Sequence, residues 1–281
     1  MIVDIHTHVF PPEVRDRRDE FLARDATFRE LYSNPKARIA TADELLASMD
    51  AAGIDRSVAC GFAWSDAELC RRHSDDLLEA AAKSGGRIIP FCTVLPSDDG
   101  ARDALKRWAA AGARGLGELR PQSQGYGLID SEEADLLAWA ADAYDLALLF
   151  HTSEPAGHPY PGKGGLPVDQ LARFIADFPG VSVIAAHWGG GLPFYALMPE
   201  VREAFSRTYF DTAATSLLYS PAVYARGVEL VGAGHILFGS DFPLVPQEQA
   251  LRELAEAPID GEARRLIEGE NARRLLRLDD G

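Results

Sequence analysis

Short apolar runs, rich in β-branched residues, alternate with longer amphipathic stretches along almost the whole chain. The runs predict strands at Ile2 to His6, Ser57 to Gly61, Ile88 to Thr93, Gly115 to Leu119, Ala147 to His151, Ser182 to His187, Thr208 to Asp211 and Ile236 to Gly239. Between them, apolar positions recur with helical spacing, as in Ala42 to Ala52, Ser65 to Ser84, Ser131 to Tyr144 and Pro193 to Phe205, and a closing helix is expected over Gly261 to Leu276. Strands that are apolar almost throughout, each followed by a helix, belong to a parallel sheet covered by helices. Eight such units in 281 residues predict an α/β fold of the (β/α)8 TIM-barrel type, as a single domain over 1–281. A doubly wound open sheet would also alternate, but no glycine-rich phosphate loop follows any of the strands.

Two insertions interrupt the rhythm. One, from Val9 to Thr41, is charged and broken by Pro11, Pro12 and Pro35; the other, Thr152 to Leu166, reads TSEPAGHPYPGKGGL. Both follow strand C-termini, so both are expected over the same barrel mouth, where long loops serve as lids or substrate walls.

Composition narrows the class. Hydrophobic residues at 47% and charged residues at 25% are ordinary for a globular protein, but the formal net charge is −15. So acidic a body repels phosphate backbones, and the arginine pairs at 71–72, 264–265 and 273–274 each sit beside acidic residues, so no nucleic-acid partner is expected. No apolar run approaches the roughly 18 residues of a membrane span. The start MIVDIHTH lacks the basic and apolar regions of a signal peptide, and Cys60, Cys70 and Cys92 form no CxxC. Together these features lead us to expect a cytoplasmic protein with free thiols.

The chemistry concentrates at strand ends. In Asp4-Ile5-His6-Thr7-His8, strict alternation would put Asp4, His6 and His8 on one face, and two imidazoles one residue apart can share a cation. Asp4, deeper in the barrel, suits a supporting role. His151 ends the fifth strand, His187 ends the sixth before Trp188-Gly189-Gly190-Gly191, Asp241 follows the eighth, and Glu118 lies at the end of the fourth. Each alone is a weak signal. Together they use four of the seven histidines at the end of the barrel where such folds keep their active sites, and His/Asp/Glu sets suit zinc, iron or manganese. Of the rest, His73 is expected on a solvated helix face, His235 in a structural role at the opposite barrel end, and His158, in the loop after the fifth strand, near substrate. Arg120, two residues past Glu118, is placed to pair with a substrate carboxylate.

The motifs DIHTH at 4–8, FHTS at 150–153, AHWGGGLP at 186–193 and LFGSDFP at 237–243, with Glu270-Asn271-Ala272-Arg273-Arg274-Leu275-Leu276 near the end, resemble the amidohydrolase superfamily, in particular its amidohydrolase-2 branch. The resemblance covers nearly the whole chain. It implies a divalent metal, zinc by default with manganese or iron as alternatives, held as one or two ions by His6, His8, His151 and Asp241. It implies that His187 binds a second metal or polarises substrate or water, and that Asp241 accepts the proton of the activated water. The fourth-strand position that carries a lysine or glutamate in related families is Glu118 here, which would either bridge two metals or support a one-metal site. The function implied is hydrolysis of a lactone, ester or amide in a small carboxylated molecule, with non-oxidative decarboxylation as the alternative on the same ligands. A metal-dependent deoxyribonuclease fits the fourth-strand glutamate but not the charge. A homodimer follows from the habit of the branch.

Overall fold

The computed structural model describes residues 1–279. Eight strands, β1 (Val3–Thr7), β2 (Arg56–Cys60), β3 (Ile88–Cys92), β4 (Gly115–Leu119), β5 (Ala147–Phe150), β6 (Val183–Ala185), β7 (Thr208–Asp211) and β8 (Ile236–Leu237), lie in one sheet in chain order. Every neighbouring pair is parallel. The sheet closes on itself. The N–H of Ile5 donates to the Phe238 carbonyl at 2.8 Å, that of Asp241 to His6 at 2.9 Å, and that of His8 to Phe242 at 2.7 Å. The fold is the expected TIM barrel.

The apolar residues divide into two layers, as the strands' double-sided apolar character requires. Val3, Ile5, Val58, Phe91, Leu149, Ile184 and Leu237 form one buried cluster. They come from strands all around the sheet, so they can meet only along the barrel axis; Leu276 joins them from the closing segment. Residues such as Ala59, Leu116, Leu148, Phe150, Val183 and Ile236 instead join the larger cluster beneath the helices.

Three predicted elements differ. The insertion after β1 holds three short helices, Pro12–Asp16, Arg18–Arg24 and Ala26–Tyr32, around an aromatic cluster of Phe10, Phe21, Phe28, Phe62 and Trp64. Asp25 anchors it: one carboxylate oxygen caps the third helix through the Phe28 N–H, and the other accepts from the N–H and hydroxyl of Ser65 after β2. The helix expected over Pro193 to Phe205 is a 3-10 segment, His187–Leu197, followed by a short helix, Pro199–Ala204. His187, Trp188, Gly189, Gly190 and Gly191 all have positive φ, so the chain leaves β6 through a left-handed run that no regular helix can include. The closing helix is likewise divided, into Gly261–Arg265, a π turn at Leu266–Glu270 and Asn271–Leu275; a Cβ on Gly269 would stand 2.2 Å from the Met1 carbonyl oxygen.

His73 is not solvated. It is buried, with Nε2 2.8 Å from the Val9 carbonyl and Nδ1 accepting from the Trp64 indole at 3.1 Å. Its helix face packs under the insertion, which the helix periodicity alone does not reveal. His235 does play a structural part, its Nδ1 2.8 Å from the Thr208 carbonyl. Among the described residues, no helix is long and apolar enough to cross a membrane.

Candidate metal centre and active site

His6 leaves β1 where the strand bulges: Asp4 pairs with Ser57 and Thr7 with Ala59, three steps against two. The expected strict alternation from Asp4 to His8 therefore does not hold. Asp4 accepts from the Ser240 hydroxyl at 2.6 Å and the Gln247 amide at 2.8 Å and ties β1 to the segment carrying Asp241, while His6 and His8 are re-aimed toward each other. Burial raises the Asp4 carboxyl, against those hydrogen bonds, which lower it.

The Nε2 atoms of His6 and His8 stand 3.1 Å apart. Asp241 Oδ1 lies 3.8 Å from the first and 3.5 Å from the second. Glu118 sits opposite, with Oε1 3.8 Å from His6 Nε2 and Oε2 3.6 Å from His8 Nε2. Its Oε1 is also 3.2 Å from His187 Nε2 and 2.7 Å from His151 Nδ1. Two sets of donor atoms are therefore close enough to hold an ion: His6, His8 and Asp241, and His6, Glu118 and His187. Ligands about 2.1 Å from one cation stand roughly 3.0–3.5 Å from each other, so these spacings suit a shared ion.

The outer nitrogens support the same conclusion. His6 Nδ1 is 2.8 Å from Asp211 Oδ2, His187 Nδ1 is 3.2 Å from the Ala213 carbonyl, and His151 Nε2 is 3.1 Å from the Gly162 carbonyl. A ring nitrogen facing an acceptor carries the proton, so the inner Nε2 of His6 and of His187 can offer a lone pair to the centre, while His151 also faces Glu118 Oε1 through Nδ1 at 2.7 Å. His8 alone lacks such a tether, its Nδ1 being buried without a partner.

The cluster's charge is strained as it stands. Burial lowers the His6 imidazole, but Asp211, Glu118 and Asp241 outweigh it and lift it to about 10. Burial and the neighbouring His6 push His8 down to about 3. Burial also works against the His187 cation, but Glu118 and Asp241 raise it to about 9. Burial raises the Asp241 carboxyl to about 6, with His6 and His187 opposing. Protons on two imidazoles thus supply positive charge that the carboxylates demand, and a divalent cation would supply the same charge.

Around this centre lies a wall from three loops. Arg120 is only 3% exposed, donates from Nη2 to the Gly162 carbonyl at 3.0 Å, and leaves Nε and Nη1 without a partner. It is no surface ion pair. Glu30 of the insertion lies 3.8 Å from it and accepts from the Gly162 N–H at 3.1 Å, fastening the insertion to the loop after β5. Tyr32 of the insertion stacks on Phe28 at 4.7 Å, and burial, with Asp241 and Glu118 acting in the same sense, raises its phenol. His158 is the one predicted site residue that the structure does not bring in. It is exposed, its ring tilted on Tyr160 at 5.6 Å, and its carbonyl accepts from the Lys163 ammonium. The sequence reading also missed Asp211, which accepts from His6 and, at 2.8 Å, from the His187 N–H. Its place at the end of β7, in step with the other strand-end residues, was the available signal.

A closed parallel barrel with histidines and carboxylates converging at its C-terminal mouth defines the class of metal-dependent barrel enzymes. The chain belongs to the amidohydrolase family: the Amidohydro_2 family model, described as amidohydrolase, matches residues 3–278. A curated relative, 6-methylsalicylic acid decarboxylase of Penicillium expansum, is 35% identical over 111 residues, 33% of this chain and 33% of that protein, so the match spans about a third of the relative. Among solved structures, 5-carboxyvanillate decarboxylase from Sphingomonas paucimobilis superposes with a TM-score of 0.80 at 20% identity, covering 99% of both chains. The 5-carboxyvanillate decarboxylase from Novosphingobium aromaticivorans, complexed with manganese and 4-hydroxy-3-methoxy-5-nitrobenzoic acid, gives 0.78 at 18% identity over 99% of this chain and 96% of that one.

Proposed function

We propose that this protein is a metal-dependent decarboxylase of a small carboxylic acid. The observation that carries the reading is the convergence of imidazole lone pairs and two carboxylates at 3.1–3.8 Å, with the outer nitrogens of His6, His187 and His151 tethered to acceptors. His6, His8, His151 and Asp241 would hold the ion, with Glu118 and His187 completing the donor set. When bound, the cation would supply Lewis-acid charge that fixes the substrate's oxygens and offsets the electron density left as carbon dioxide departs. Arg120, with two unmatched donor nitrogens in a buried wall, binds the substrate carboxylate. Asp241, beside the centre, carries the proton that replaces the lost carboxyl group on carbon, and His187 beside it steadies that charge. The decarboxylases among the relatives support this choice over hydrolysis.

Hydrolysis of a lactone, ester or amide is the second reading. It is favoured by Glu118, which contacts His151 and His187 together as a residue joining two ions would. Feeding the metal-loaded protein aromatic carboxylates and lactones separates the two. Decarboxylation releases one carbon dioxide per substrate consumed; steady base uptake at constant pH without carbon dioxide would overturn it in favour of hydrolysis.

Zinc is our first choice of ion on donor chemistry, with manganese, present in the Novosphingobium structure, as the second. We place the protein in the cytoplasm, which three unpaired buried cysteines support. A homodimer is our reading of its assembly, with Phe194, Leu197 and Leu244 exposed as apolar contact candidates.

A further inference from the structure

The guanidinium of Arg120 is buried, yet the chain holds it at one point. Among the described residues it donates to the Gly162 carbonyl alone, at 3.0 Å, and Nε and Nη1 have no partner. The same carbonyl lies 3.1 Å from His151 Nε2. Gly162 is in turn held from across the mouth. Its N–H donates to Glu30 Oε1 at 3.1 Å, and that oxygen lies 3.8 Å from Arg120 Nη2. Its φ is +87°, and a Cβ there would stand 2.6 Å from Leu31 Cδ2, so only glycine lets the helix Ala26–Tyr32 press directly on the loop after β5. That helix is itself anchored: Asp25 caps it and also binds Ser65, and Phe28 stacks on Trp64 at 5.2 Å.

Glu30 can act on Arg120 in two ways, by its charge or through the Gly162 peptide. The charge is the weaker route: the pair is 3.8 Å apart and the glutamate is exposed, so water screens it. The hydrogen bond is shorter, and it fixes the residue whose carbonyl is the guanidinium's one acceptor. We propose that Glu30 is a positioning residue for the acid site. Through Gly162 it holds Arg120 by Nη2 and leaves Nε and Nη1 for the incoming carboxylate. This rests on the proposed function, since it takes Arg120 as the group that binds the acid. The acid site is then complete only while the insertion after β1 is docked on the loop after β5, which gives that insertion a part in binding as well as in covering the barrel.

The test is labelling of the metal-loaded protein with phenylglyoxal, an arginine reagent, with peptide mapping to follow Arg120 by itself. In the unaltered protein Arg120 should react slowly. In Glu30→Ala and in Gly162→Ala the guanidinium loses its tether and should react about tenfold or more faster. In Glu30→Gln the amide oxygen still accepts from the Gly162 N–H, so labelling should stay slow; this rescue separates the hydrogen bond from the charge. Circular dichroism checks each fold, and Glu30→Ala, at an exposed position, carries the test if Gly162→Ala does not fold. Labelling as slow in Glu30→Ala as in the unaltered protein, or as fast in Glu30→Gln as in Glu30→Ala, overturns the positioning role. Calorimetric titration with benzoate gives the second readout, with Kd expected to rise about tenfold or more in Glu30→Ala. If benzoate binds Arg120→Met as it binds the unaltered protein, the reading of the acid site fails and the proposal with it, whereas a contrary labelling pattern alone removes only the role of Glu30.

Discussion

Asp211 offers the sharpest test of how the chain prepares its histidines. Its Oδ1 accepts from the N–H groups of His187 at 2.8 Å and Ala213 at 3.1 Å, and its Oδ2 faces His6 Nδ1 at 2.8 Å. In Asp211→Asn, the amide oxygen can keep the two backbone donors. The amide nitrogen must then face His6 Nδ1, and two N–H groups cannot face each other. Relief requires the His6 proton to move to Nε2, the nitrogen 3.1 Å from His8 that the centre needs unprotonated. Loss of such a supporting partner typically weakens metal binding about 10–100-fold, or about 1.4–2.7 kcal/mol. Titration against a chromogenic chelator measures it, with circular dichroism confirming the fold. Affinity for zinc or manganese equal to that of the unaltered protein would refute the assignment of Asp211 as the residue that sets the His6 tautomer.

Three further outcomes follow from named contacts. Arg120→Met should raise KM for a carboxylate substrate about 10–100-fold with a smaller change in kcat, because hydrogen bonds to charged groups contribute about 1.5–3 kcal/mol; steady-state kinetics decides, and an unchanged KM contradicts it. Gly190→Ala should cost about 1–3 kcal/mol, since its φ is +59° and the new Cβ would stand 2.6 Å from the Ser153 carbonyl oxygen; thermal unfolding should show a lower Tm, and an unchanged Tm counts against this close approach. Burial lowers His73 from 6.5 to about 4, so the unfolded chain takes up this proton before the folded one does. That stabilisation is complete above pH 6.5 and is lost as pH falls toward 4, by about 3 kcal/mol in all. His73→Gln should flatten the dependence of unfolding free energy on pH in that window, and an equal slope in both proteins would contradict it.

The barrel was legible in the sequence because its determinants are local. Apolar runs such as Leu148-Leu149-Phe150 mark strands, and the order of the runs fixes a parallel closed sheet. The site was legible for a related reason: once the strands are placed, His6, His151, His187 and Asp241 must all lie at one end. What escaped depends on contacts between distant segments. Nothing in the spacing around Asp4 announces the bulge that turns it toward Ser240 and Gln247 and away from the histidines. Asp211 became identifiable only when its oxygens were seen to engage His6 and His187. His73 reads as a polar residue on an amphipathic helix until the insertion covers it with Val9 and Trp64. His158 lies in a loop whose path is set by Lys163, which holds the histidine's backbone and leaves its ring outside.

Every role assigned above depends on these side chains forming one metal centre. The direct measurement is anomalous diffraction from crystals of protein purified with zinc and manganese in excess, together with the metal content of the same sample. At least one ion per chain is expected, with its peak between His6 Nε2, His8 Nε2 and Asp241 and none lost on extensive dialysis. Crystals with no anomalous peak among these residues, from protein that emerges free of metal, would contradict the account.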